Sequence, residues 1–296
     1  MRVHEGAFES MDGRLLFERM WLPNGEAKAR LVIVHGYAEH GGRYAHVGAY
    51  FSGRGYAVHA LDLRGHGRAE GDRVLVRSFN EYLDDVDAFL RHVRAQDAGD
   101  TPLFLLGHSM GGAIVTLSVV TRRPALAGLI VSAGVLTPPT GIQRVLSAAL
   151  RVFGRVAPRL RLTKLDSATV SRDPAVVAQY DADPLNYRGK IPAGTVAAMT
   201  RAVAVIVKRT PAITLPLLVL HGSADKLANP DGSRMLYERA SSPNKMLKLY
   251  EGLYHEILNE PEQALVMGDI AFWLDSHVDA LAESTRTSPP SRGITD

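Results

Sequence analysis

The sequence predicts an α/β fold in which a mostly parallel central sheet is flanked by helices and interrupted by an inserted helical cap. Three observations predict it. Short, fully apolar runs alternate with longer amphipathic stretches, the pattern of parallel strands buried on both faces. From about Thr137 to Pro211 the alternation stops, and helical segments with several prolines and no strand signal take its place. The strand pattern then resumes at Leu215. The expected division is core over 1–136, cap over 137–210, core again over 211–283, and a Ser/Thr/Pro-rich disordered tail over 284–296.

Taken in order, Phe8 to Leu22 reads as an antiparallel hairpin turning at Met11-Asp12-Gly13. Arg30–His35 and Tyr56–Asp62 read as buried strands. Glu81–Arg94 is helical, because Tyr82, Val86, Phe89, Leu90 and Val93 share one face opposite acids and arginines. Pro102–Gly107 is a strand, Gly111–Thr121 a helix and Leu126–Ala133 a strand. After the cap come strands at Leu215–Leu220 and Met246–Tyr250, then a closing helix over Pro261–Leu281.

Composition narrows the chemistry. The 296 residues carry 34 Lys+Arg and 31 Asp+Glu, a net charge of +3, too small to argue for nucleic acid. There is no cysteine, which excludes a disulfide framework, a thiolate metal site and a cysteine nucleophile. The N-terminus lacks an apolar core of the signal-peptide kind, and no stretch approaches the ~18 apolar residues of a membrane helix. A cytoplasmic protein is expected.

The chemistry-bearing motif is Gly107-His108-Ser109-Met110-Gly111, a G-x-S-x-G set between an apolar strand and a helix. That context turns a common pentapeptide into a nucleophile elbow: a sharp turn pushes Ser109 out at the sheet edge, and the Met110 N–H faces the same point. A serine hydroxyl needs a base, and the base needs an orienting acid. In chain order after the serine, Asp225 lies just past the strand at Leu215–Leu220 and His255 lies in the loop before the closing helix. We assign Ser109 as nucleophile, His255 as general base and acid, and Asp225 as its orienting group. Asp62 precedes the serine and is assigned to holding the Arg64–Gly67 turn. His35, His40, His66, His108 and His221 are assigned structural roles, and His277 lies inside the last helix. A zinc site fails, since His255-Glu256 is followed by Asn259 where a second histidine is needed. Phosphate and dinucleotide fingerprints are absent, so no cofactor is expected. The second oxyanion donor is expected from the loop after Arg30–His35, at the Tyr37 N–H.

Four blocks carry a specific resemblance: HGYAEHGGRY (35–44), DLRGHGRAEG (62–71), LGHSMGG (106–112), and HGSADKLANP with YEGLYHEILNEP (221–230 and 250–261). Together they resemble the monoacylglycerol lipase group of the α/β-hydrolase fold, the bacterial members in particular, over about residues 5 to 280. The resemblance implies hydrolysis of monoacylglycerol esters through an acyl-enzyme. It also implies that Glu39, Arg43 and the cap residue Tyr180 fix the substrate's polar head. The chain departs from the group in the bulky Tyr37 and in Leu258, where mammalian members carry a histidine. Other readings are a lysophospholipase or carboxylesterase with the same chemistry, or a non-catalytic receptor on this fold. An aspartate-nucleophile hydrolase is disfavoured by Ser109.

Within the cap, Gly141–Leu162 reads as a basic amphipathic helix. Ile142, Val145, Leu146, Ala149, Phe153 and Val156 form its stripe, opposite Arg144, Arg151, Arg155 and Arg159. Between Thr101 and Leu165 there are eight basic residues and no acid, so the near-neutral total hides a basic front on an acidic body. That asymmetry suits peripheral contact with an anionic membrane; a helix packed on the core with its arginines in water is the alternative.

Overall fold

The computed structural model describes residues 1–96, 101–137 and 154–287. Its centre is an eight-stranded sheet. The strands are β1 (Arg2–Glu9), β2 (Leu15–Leu22), β3 (Ala29–Val34), β4 (Tyr56–Asp62), β5 (Leu103–His108), β6 (Gly128–Ser132), β9 (Leu217–Gly222) and β10 (Lys245–Tyr250). Their spatial order is β1-β2-β4-β3-β5-β6-β9-β10. The pairs from β4 to β10 are parallel, while β1 and β2 form an antiparallel hairpin laid antiparallel on β4. Residues of β3, β4, β5, β6 and β9 are buried on both faces, which is why these strands read as unbroken apolar runs.

Helices cover both faces. On one side α1 (Ala45–Ser52) and α7 (Gln263–Thr287) pack Phe51, Val266, Ile270, Trp273 and Leu274 onto Ile33, Leu106 and Ile130. On the other lie α2 (Phe79–Ala95), α3 (Met110–Thr121), α5 (Ala193–Arg209) and α6 (Pro230–Arg239), contributing Phe89, Ile114, Ile206 and Leu236. A capping box of Ser78 and Glu81 starts α2 at Phe79, two residues before the expected Glu81. Pro216 lacks the N–H a ladder needs, so β9 begins at Leu217 rather than at Leu215.

The region between β6 and β9 corrects two expectations. It contains a two-stranded antiparallel ribbon, β7 (Arg161–Lys164) with β8 (Lys190–Pro192). Both strands are short, β7 is largely exposed and β8 ends in proline, so neither leaves an apolar signature in the sequence. The second concerns the expected helix Gly141–Leu162. Residues 138–153 lie outside the described residues. From 154 the chain is helical only to Val156, then turns at Pro158, whose ring cannot continue a helix. Helix α4 (Pro174–Ala182) and α5 complete this region. At the C-terminal end, α7 runs on to Thr287, so residues 284–287 are helical where a disordered tail was expected. The remaining tail, 288–296, lies outside the described residues. Among the described residues no helix is long and apolar enough to cross a membrane, and no acid, histidine or cysteine cluster suits a metal.

Candidate active site

The parallel strands end on one edge of the sheet, and the loops leaving β3, β5, β9 and β10 converge there. At the β5–α3 turn Ser109 adopts φ 55° and ψ −117°, a conformation costly for a residue with a Cβ. The flanking glycines permit it. A Cβ on Gly107 would come within 2.4 Å of the Gly111 carbonyl oxygen, and one on Gly111 within 2.1 Å of the Val34 carbonyl oxygen. Helix α3 can therefore start hard against β3 and β5, with Ser109 at its N-terminus.

His255, in the loop after β10, places Nε2 2.8 Å from Ser109 Oγ and Nδ1 2.7 Å from Asp225 Oδ2. These partners fix the tautomer: Nδ1–H donates to the carboxylate and Nε2 is free to accept the serine proton. Asp225 Oδ1 accepts from the Leu227 and Ala228 N–H groups at 2.7 and 3.0 Å. Burial alone would raise the Asp225 pKa, but His255 and the converging hydrogen bonds hold it well below the usual carboxylate range. Burial likewise pulls the His255 pKa down, and the charge of Asp225, helped by Glu256 and Glu39, lifts it above the ordinary 6.5. His108 lies against His255 with ring centroids 4.8 Å apart and the rings tilted by 51°. Its own pKa is pushed down to about 4, first by burial and then by His255, so it is a neutral neighbour.

The other expected residues fall into two groups. Tyr37 and Met110 line the same cavity as Ser109, and among the described residues neither backbone N–H has a protein partner. Glu39, Arg43 and Tyr180 are together, but they do not line that cavity. Glu39 Oε1 accepts from the Gly36 N–H at 2.6 Å and the Tyr44 hydroxyl at 2.9 Å. Glu39 Oε2 takes Arg43 Nη1 at 2.9 Å. Arg43 in turn grips Glu256 with both ends of its guanidinium, at 2.6 and 2.7 Å, and lies 4.8 Å over the Tyr180 ring. Burial would raise the Glu39 pKa, yet Arg43 leads the charges that bring it down to about 2. The three residues that the resemblance implies for the substrate head thus bond to one another and to Glu256 in the structure. Glu256, its third charged member, was not singled out in the sequence; its place directly after His255 was the available signal.

The histidines assigned structural roles are engaged in the protein. His35 bridges the Gly36 carbonyl and the Leu63 N–H. His40 links the Gly42 N–H to Asp183. His66 bonds the Arg64 carbonyl. Asp62 accepts from the Gly41 and Arg68 N–H groups and from Arg19. His221 is different, since its Nε2 reaches the same Asp225 oxygen as His255, at 2.9 Å.

A cavity of about 980 Å³ opens above Ser109 and His255. The core supplies Tyr37, Met110 and Val135 to its wall, and the segment between β6 and β9 supplies Leu162, Ile191, Val196 and Met199. Its size and largely apolar wall suit a long hydrocarbon chain.

The sequence matches the family described as "Serine aminopeptidase, S33" over residues 25–262. It is 40% identical over 274 residues to a monoacylglycerol lipase of Mycolicibacterium smegmatis, covering 93% of this chain and 98% of the relative. The chain belongs to the monoacylglycerol lipase family of α/β-hydrolase-fold serine hydrolases. A monoglyceride lipase of this family from Homo sapiens is 37% identical, with 94% and 92% of the two chains covered. The solved monoacylglycerol lipase of Paleococcus ferrophilus superposes with a TM-score of 0.78 at 29% identity, over 94% of this chain and all of that one.

Proposed function

We propose that this chain hydrolyses monoacylglycerols to a fatty acid and glycerol, using Ser109, His255 and Asp225 as a catalytic triad. The observation that carries the reading is a hydrogen-bonded Ser109–His255–Asp225 relay opening on a cavity of about 980 Å³ with an apolar wall. Relatives named as monoacylglycerol lipases support it. His255 Nε2 takes the proton of Ser109 as Oγ attacks the ester carbonyl, and the Tyr37 and Met110 N–H groups hold the oxyanion. The tetrahedral adduct collapses, His255 returns the proton to the departing glycerol oxygen, and the acyl group stays on Ser109. Water then attacks the acyl-serine while His255 takes its proton, and collapse releases the fatty acid and restores the Ser109 hydroxyl. The reaction as written uses no cofactor.

Residues 137–210 serve as a cap whose apolar side chains hold the acyl chain. Glu39, Arg43 and Tyr180 act at one remove: Glu39 holds the Gly36 N–H, next to the Tyr37 donor. The polar side of the cavity includes Thr163, Lys164, Asp166, Lys226 and Asn229, groups that suit an oxygen-rich head group. The cap front also exposes Val156 (79%) and Leu160 (47%) beside Arg155 and Arg159, a composition suited to peripheral contact with an anionic membrane. Vesicle binding that weakens with added salt and with Arg155→Glu supports that contact; binding indifferent to both removes it.

The test is turnover across mono-, di- and triacylglycerols and lysophospholipids, with Ser109→Ala as control. Monoacylglycerol should be the fastest substrate, and Ser109→Ala should lose both turnover and labelling by a fluorophosphonate. Faster triacylglycerol or lysophospholipid hydrolysis would overturn the substrate class, and an unlabelled wild type would overturn the chemistry.

A further inference from the structure

Asp225 carries more donors than orienting one imidazole requires. Its Oδ1 accepts from the Leu227 and Ala228 N–H groups. Its Oδ2 accepts from His255 Nδ1 at 2.7 Å and from His221 Nε2 at 2.9 Å. His221 is the penultimate residue of β9, just before the Asp225 loop, and its side chain is fully buried. Its Nε2 also faces the Ala228 carbonyl at 3.1 Å, and its Nδ1 lies 2.7 Å from the Ser233 hydroxyl on α6. Both groups at Nε2 are acceptors, and a carbonyl cannot donate, so Nε2 bears the proton. The Ser233 hydroxyl then donates to Nδ1. His221 is therefore a buried bridge from α6 to the very oxygen that holds the catalytic base.

We propose that His221 is a positioning residue for the hydrolysis, sharing Asp225 Oδ2 with His255 and thereby fixing the carboxylate against the base. This rests on the triad reading above. The shared oxygen has a chemical consequence. A carboxylate oxygen that accepts two N–H groups divides its negative charge between them, so it stabilises the His255 imidazolium less than it would with His255 alone. The other groups that bear on His255 are Glu256 beside it, Glu39 from the loop after β3, and neutral His108 tilted against its ring. Removing the His221 N–H should therefore make His255 harder to deprotonate and leave the carboxylate less well aimed.

The experiment is the pH profile of monoacylglycerol hydrolysis for wild type, His221→Phe and His221→Gln. In His221→Phe the acid-side midpoint of kcat/KM should move up by about one pH unit. At pH 8 kcat should fall roughly 3- to 10-fold with KM unchanged. His221→Gln can place an amide N–H where Nε2 was, and should restore the wild-type midpoint. A purely structural histidine would lower Tm without moving the midpoint, so a His221→Phe protein that folds and keeps the wild-type profile overturns the proposal. Should His221→Phe not fold, ring ¹⁵N shifts of the wild type decide. At the pH of turnover His221 must carry a proton on Nε2, and a tautomer protonated on Nδ1 alone overturns the proposal. Failure of the triad reading would look different: wild type itself would not hydrolyse the ester.

Discussion

Two buried charge clusters lie next to each other at the sheet edge, and they are built from neighbouring residues. His255 belongs to one and Glu256 to the other; Tyr37 belongs to one and Glu39 to the other. The cluster of Ser109, His255 and Asp225 opens on the cavity, and its serine keeps a backbone conformation that glycines on either side make room for. The cluster of Glu39, Arg43, Glu256 and Tyr180 is closed: each carboxylate is taken up by Arg43 or by N–H and O–H donors, and none lines the cavity. Buried charge marks both. What separates chemistry from scaffolding is whether a reactive atom is left facing a space where substrate can sit.

Variants should therefore separate activity from stability. The largest effects belong to the open cluster. Ser109→Ala should cut turnover by about 10⁴-fold or more, and Asp225→Asn by a comparable factor, because the amide no longer holds His255 in the accepting tautomer. Thermal unfolding of Ser109→Ala should stay close to wild type, since the substitution removes one hydroxyl and no buried charge. A large fall in Tm for Ser109→Ala would blur the distinction between the clusters.

The closed cluster should behave the other way. Arg43→Met leaves Glu39 and Glu256 buried without their shared cation, a change that costs about 3–5 kcal/mol in comparable cases. Denaturant unfolding should show that loss. Residual activity of the folded fraction should fall less than in Asp225→Asn, and through kcat, because Glu39 holds the loop that carries the Tyr37 donor. An Arg43→Met protein with unchanged stability and a raised KM alone would restore direct contact between Arg43 and the substrate.

A smaller effect is written in the protonation of the base. His255 must be neutral at Nε2 to accept the Ser109 proton, and Asp225 raises its pKa above 6.5. Because the raised group is the one that must lose its proton, kcat/KM should fall as pH drops, with a midpoint above 6.5. Asp225 stays ionised throughout that range, since its own pKa is lowered. A midpoint below 6.5 would place the controlling group elsewhere.

The contrast between clusters also explains what could be read in advance. Strands β3, β4, β5, β6 and β9 were legible because burial on both faces makes each an apolar run, and the strand–turn–helix setting made Ser109 legible. Asp225 and His255 followed from chain order, since each sits past a later strand. The β7–β8 ribbon was not legible, because its exposed, mixed residues carry no period. The place of Glu39 and Arg43 was not legible either. Their partner Glu256 lies 213 residues from Arg43, and only the fold brings that carboxylate within reach to consume the arginine's charge. His221 was set aside as structural for the same reason: adjacency to the acid is visible in sequence, but a shared oxygen is not.

Tyr180 gives the smallest and most discriminating comparison. Its ring, on α4, lies under the Arg43 guanidinium, and burial leads the causes that push its phenol pKa upward. If the closed cluster is scaffolding, the ring matters as a face for the cation and as filling. Tyr180→Phe should then be almost silent in stability and turnover. Tyr180→Leu, which removes the aromatic face and some volume, should cost about 1–2 kcal/mol and leave kcat within roughly threefold. The two substitutions divide the alternatives because only Phe keeps the face while losing the hydroxyl. A Tyr180→Phe protein that unfolds like wild type yet loses affinity for monoacylglycerol would assign the phenol to substrate, and would move this side chain from the closed cluster to the open one.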